Sequence, residues 1–71
     1  MLKDVADRVY KELVADGYEP RMHESQLEGG AFELRLRGKD FDLGDLKTMV
    51  RVGEQFGLGL KLDSNGWITL R

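Results

Sequence analysis

The stretch Leu58-Gly59-Leu60-Lys61-Leu62-Asp63-Ser64-Asn65-Gly66-Trp67-Ile68-Thr69-Leu70-Arg71 holds two runs of alternating apolar and polar residues around a turn. Alternation is the period of a strand, so the stretch reads as a hairpin with its apolar residues on one face. Register arithmetic selects the loop. A two-residue Asn65-Gly66 turn pairs Leu62 with Thr69 and Lys61 with Leu70, which puts lysine on the apolar side. A three-residue Ser64-Asn65-Gly66 loop, with Gly66 in the left-handed position of a bulge, pairs Leu62 with Ile68 and Leu60 with Leu70. All four apolar residues then share a face, and this form is expected.

Upstream of this hairpin, Leu46, Met49, Val50 and Phe56 recur at helical spacing, and Gly57 stands where a helix closes. Asp42 is placed to cap the free amides of the first turn and Asp45 follows three residues later, while Phe41 and Leu46 flank them as a hydrophobic staple. A helix is expected over 42–56. Gly53 on its apolar side predicts close approach of another element, the first helix being one candidate. Before it, Phe32, Leu34 and Leu36 alternate with Glu33, Arg35 and Arg37 as a half-buried strand. A weaker alternation, Tyr18 and Met22 against Glu19, Arg21 and His23, predicts its hairpin partner, with Pro20 at the strand's start or at a sheet edge. Gly29-Gly30 supplies the connection. At the start, Leu2, Val5, Ala6, Val9 and Leu13 mark an amphipathic helix over 1–16, closed by Gly17.

The order is helix 1–16, hairpin 18–37, helix 42–56 and hairpin 58–71, one domain over 1–71. The expected fold is α+β, two-layered, with two helices packed on one face of a four-stranded, mainly antiparallel sheet. Each half is a helix, a closing glycine and a hairpin, a pseudo-repeat of pattern. This order of elements is shared by unrelated small domains and does not license a function.

Composition removes several classes of function. The 71 residues contain no cysteine and one histidine, so neither disulfides nor a cysteine or histidine zinc site is available, and no metal or cofactor is expected. Asp40, Asp42 and Asp45 cluster at a helix start, where capping accounts for them. Gly53, Gly57 and Gly59 lie at a helix end rather than between a strand and a helix start, unlike a phosphate-binding loop. No nucleophile, base and orienting group can be assembled around His23, and an enzyme is not expected. No run reaches the roughly 20 apolar residues of a membrane span, and Met1-Leu2-Lys3-Asp4 lacks the pattern of a signal peptide, so a cytoplasmic protein without membrane contact is expected. A net charge of −2 argues against a protein built mainly to neutralise a phosphate backbone.

Strand parity leaves a second face of the sheet to Glu19, Arg21, His23, Glu33, Arg35, Arg37, Lys61, Asp63, Trp67, Thr69 and Arg71, five basic residues against three acidic. Trp67 is its one aromatic side chain. The binding residues expected there are Trp67, Arg35, Arg37, Lys61, Arg71, Arg21 and His23. Tryptophan offers a flat ring to a partner's apolar anchor, and arginine bonds carboxylate or phosphate in bidentate fashion. The expected function is a protein-binding module, an accessory subunit, adaptor or stoichiometric inhibitor, that also self-associates as a homodimer because so small a core needs support. The alternative is single-stranded nucleic-acid or RNA binding on the same face, weakened by the presence of a single stacking ring.

Overall fold

In the computed structural model, which describes residues 1–71, both helices end in the same way. Helix α1 spans Lys3–Ala15; beyond it Gly17 donates to the Val14 carbonyl and Tyr18 to the Leu13 carbonyl. Helix α2 spans Leu43–Phe56, with Gly57 donating to Glu54 and Leu58 to Gly53. This double closure needs a left-handed residue just past the helix, and Gly17 and Gly57 supply it at φ values of 88° and 67°. The start of α2 is equally determined. The Asp45 amide donates to the Asp42 carboxylate at 2.8 Å while the Asp42 amide donates to that of Asp45 at 2.9 Å, so two otherwise free backbone donors are satisfied reciprocally.

The strands are β1 (Met22–Gln26), β2 (Phe32–Arg37), β3 (Leu60–Leu62) and β4 (Trp67–Leu70), in the spatial order β1-β2-β4-β3, with every pairing antiparallel. Each hairpin thus contributes one inner and one outer strand, and the two inner strands meet at a central seam. Across that seam Leu34 faces Leu70, Arg35 faces Thr69 and Leu36 faces Ile68, so the two hairpins meet antiparallel through their inner strands. In the second hairpin Leu62 faces Ile68 and Leu60 faces Leu70, the register of the three-residue loop. Gly66 has a φ of 83°, and the Asp63 carboxylate fastens the turn by accepting from the Asn65 and Trp67 amides.

The core lies between the sheet and the helices. Val9 and Leu13 from α1, Met49 and Val52 from α2, and Met22, Leu34, Leu36, Ile68 and Leu70 from the sheet form one buried cluster. Burying these side chains supplies the main drive to fold.

Four features differ from the sequence expectation. First, β1 begins at Met22 rather than near Tyr18, because Glu19–Arg21 forms a turn of 3₁₀ helix. The fixed φ of Pro20 suits the opening of such a turn, and the missing amide is no loss there. Second, the element close to Gly53 is not α1. A side chain there would meet the Leu58 carbonyl oxygen at 3.4 Å and the Leu70 side chain at 3.9 Å, so the glycine admits the chain's own return into β3 and the adjoining β4. Third, Val50 is 45% exposed and Val52 is buried in its place. Fourth, the apolar face of the second hairpin is only half covered. Ile68 and Leu70 are buried, but Leu60 and Leu62 on the outer strand are 42% and 66% exposed.

Candidate functional site

The uncovered face of the sheet is set by strand parity. Since Leu34, Leu36, Ile68 and Leu70 point into the core, Glu33, Arg35, Arg37, Trp67 and Thr69 must point away from it. His23, Lys61 and Asp63 join them through their pairing with Arg35, Thr69 and Trp67 respectively. Arg71 follows β4 on the same parity, its amide donating to the Gly59 carbonyl.

Trp67 begins β4, at the end of this face where Arg37 closes β2. It lies opposite Arg37 and diagonal to Arg35, whose guanidinium carbon is 4.7 Å from the ring centroid. At that distance the cation is attracted by the negative face of the ring. The His23 ring reaches across β2 to meet Trp67 edge to face, with centroids 5.5 Å apart and planes at 64°. Trp67 and Arg35 are each half-buried by this packing, whereas His23, Arg37, Lys61 and Arg71 are exposed. The site is therefore a stacked Arg35-Trp67-His23 group toward one end of the face, with the exposed cationic side chains of Arg37, Lys61 and Arg71 on the same face.

Arg21 is a correction. Its guanidinium lies 5.1 Å from the Phe41 ring, which itself packs edge to face on Tyr18 at 5.5 Å. The 3₁₀ turn carries Arg21 away from the sheet and into the group that closes the first hairpin against α2, and Glu19 leaves with it. The face then holds four basic residues, Arg35, Arg37, Lys61 and Arg71, against Glu33 and Asp63, so its positive balance survives.

Two neighbouring polar groups are structural. The Tyr18 hydroxyl donates to the Asp45 carboxylate at 2.6 Å, tying the end of α1 to the start of α2. Burial, and then Asp45, raise the Tyr18 hydroxyl above its ordinary pKa; the Tyr18 bond, followed by the Asp42 amide, holds Asp45 below the usual carboxylate value. Glu24 points to the helix side, as its parity requires, and accepts from Lys3 at 2.9 Å. Lys3 also donates to Asp7, and these two carboxylates keep its ammonium charged to higher pH than usual.

The surface has no pocket, and no three potential metal-ligating histidine or carboxylate residues converge. No helix is long and apolar enough to cross a membrane. Comparison with protein-family models, with curated proteins and with solved structures finds no match.

Proposed function

We propose that this protein is a non-enzymatic binding module whose open sheet face takes a segment of another protein, with Trp67 as the anchor and Arg35, Arg37, Lys61 and Arg71 around it. The observation that carries the reading is the stacked group: Trp67 packs against Arg35 at 4.7 Å and His23 at 5.5 Å on a face that no helix covers. A packed, partly exposed ring gives contact area without a large loss of rotamer freedom on binding, which is the property of an interface anchor. The positive balance of the face favours an acidic segment with an apolar or aromatic side chain, its carboxylates within reach of arginines that bond them in bidentate fashion. The module acts stoichiometrically, as an accessory subunit, adaptor or inhibitor.

The test compares capture from cell extract by the wild type, Trp67→Ala and Arg35→Ala/Arg37→Ala, with and without nuclease. A protein retained by the wild type, lost with Trp67→Ala and unaffected by nuclease supports the reading. Single-stranded nucleic acid on the same face is the competing reading, and it has a direct signature. Titration with an oligothymidine would quench Trp67, with an affinity that falls steeply with salt and a salt slope that shrinks in Arg35→Ala/Arg37→Ala. That result overturns the protein-binding assignment.

A further inference from the structure

We propose that the chain forms a two-fold homodimer through β3, continuing the four-stranded sheet into one of eight strands, with Leu62 on the dyad. Self-association is thereby assigned to the sheet edge, and of the residues proposed to surround Trp67 it engages Lys61 alone.

The two outer strands differ in how they end the sheet. On β1 the helix-side position beside Leu34 is Glu24, an inward charge held by Lys3 at 2.9 Å, and a proline-containing 3₁₀ turn leads into the strand. Inward charges and prolines are devices that stop an edge from pairing. The corresponding positions on β3 are Leu60 and Leu62, apolar and exposed.

The backbone of β3 is open in the same place. Bonds from Arg71 to Gly59 and from Asp63 to Trp67 frame the β3–β4 ladder, and antiparallel bonding alternates, so Lys61 spends its amide and carbonyl on Thr69. Leu60 and Leu62 therefore direct theirs outward, to the free edge. On α2, Leu43, Leu46, Val50 and Gly53 recur at spacings of three and four along one flank. Gly53 places that flank beside Leu58 and Leu70, while Arg51, reaching Glu12 and Asp16, marks the flank toward α1. Leu43 and Val50 are 67% and 45% exposed, so the side of the molecule that carries the open edge also carries four exposed apolar side chains. Such a group marks an association surface.

Charge chooses a second copy as the occupant and sets the register. Only pairings centred on Leu60, Lys61 or Leu62 keep apolar residues on the helix side. Centring on Lys61 places two lysines directly opposite, which is unfavourable. Centring on Leu60 requires an outward carbonyl at Leu58, yet that carbonyl is turned toward Gly53. Centring on Leu62 lets the two copies of Leu62 exchange both backbone bonds and sets Lys61 of each copy opposite Asp63 of the other. Lys61 makes no ion pair within the chain, and Asp63 uses only Oδ1 in its turn. The sequence Lys61-Leu62-Asp63 is thus complementary to its own antiparallel copy.

The test uses the absence of cysteine. A hydrogen-bonded antiparallel pair has Cα atoms about 5.5 Å apart, within disulfide range. Leu62→Cys should cross-link to a dimer under mild oxidation, while in Leu60→Cys the two sulfurs belong to residues about 13 Å apart along the strands and should stay reduced. Light scattering on the wild type should show the mass rising with concentration from 8.1 kDa toward twice that value. Leu62→Pro, which removes only an outward amide, should stay monomeric at those concentrations with an unchanged circular dichroism spectrum. A wild type that stays monomeric at every concentration, or cross-linking of Leu60→Cys or Lys61→Cys in place of Leu62→Cys, overturns the proposal.

Discussion

The Arg35 guanidinium stands over Trp67 although the residue directly opposite Trp67 in the ladder is Arg37. The diagonal contact leaves Arg37 exposed and gives two neighbouring arginines on one strand different tasks. Arg35 packs against the ring, and Arg37 stays exposed to solvent.

Removing the packed arginine should therefore loosen Trp67 without unfolding the chain. Arg35→Ala is expected to raise the quenching of Trp67 by acrylamide and to change stability by less than about 1 kcal/mol, since a partly exposed cation-aromatic contact contributes on that order. Arg37→Ala should alter neither. Fluorescence quenching with a urea titration of each variant measures both quantities.

The Tyr18–Asp45 bond predicts a pH dependence with two limbs. Asp45 is held below its unfolded pKa, so its contribution is complete above about pH 4 and is lost as the pH falls through the lower folded value. Tyr18 is raised, so its contribution is complete below about pH 10 and is lost as the pH climbs through the higher folded value. The stability difference between wild type and Tyr18→Phe should be greatest between these limits and shrink toward both ends. Urea midpoints from about pH 2.5 to 11 test this; a difference independent of pH would contradict it.

Gly57 and Gly59 make a paired test of backbone conformation. Gly57 has a φ of 67°, whereas Gly59 does not occupy the left-handed region, and a side chain meets nothing within 4 Å at either. Gly57→Ala is expected to cost about 1 to 2 kcal/mol through backbone strain alone. Gly59→Ala should stay within about 0.5 kcal/mol of the wild type. Chemical denaturation of both variants reads the contrast.

Leucines on the same face of the sheet should differ according to cover. Leu34 is fully buried, and Leu34→Ala should cost about 2 to 5 kcal/mol, much of what a chain this short possesses. Leu62→Ala should cost the isolated chain far less, because the side chain is 66% exposed. Thermal unfolding at low protein concentration compares them without any contribution from association.

Both hairpin faces and the loop of the second hairpin were legible because they depend on local parity: only one register keeps Lys61 away from the apolar side. The caps were legible for a similar reason, since Asp42, Asp45, Gly17 and Gly57 act within a turn of their own position. What escaped depends on partners far along the chain. Arg21 has the right parity for the open face, but Pro20 favours a turn that delivers it to Phe41, twenty positions away. Leu60 and Leu62 have the pattern of buried residues, and only the strand order places them at an edge. The contact of His23 with Trp67 likewise requires β2 to lie next to β4, which no local pattern states. Of the seven binding residues expected from the sequence, the structure brings His23, Arg35, Arg37, Lys61, Trp67 and Arg71 to one face and removes Arg21.

The seam between β2 and β4 has a kinetic consequence. Within either hairpin the paired residues are near neighbours in the chain, but Leu34 and Leu70 are separated by 36 positions and Arg37 and Trp67 by 30. Forming the seam requires closing that long loop before its contacts can compensate the lost entropy, so the seam is expected to set the height of the folding barrier. Substitutions at Leu36 or Ile68 should then slow folding, while those on the outer strands should chiefly hasten unfolding. The strand order gives the chain two local hairpins from which to begin and a single seam at which they must meet.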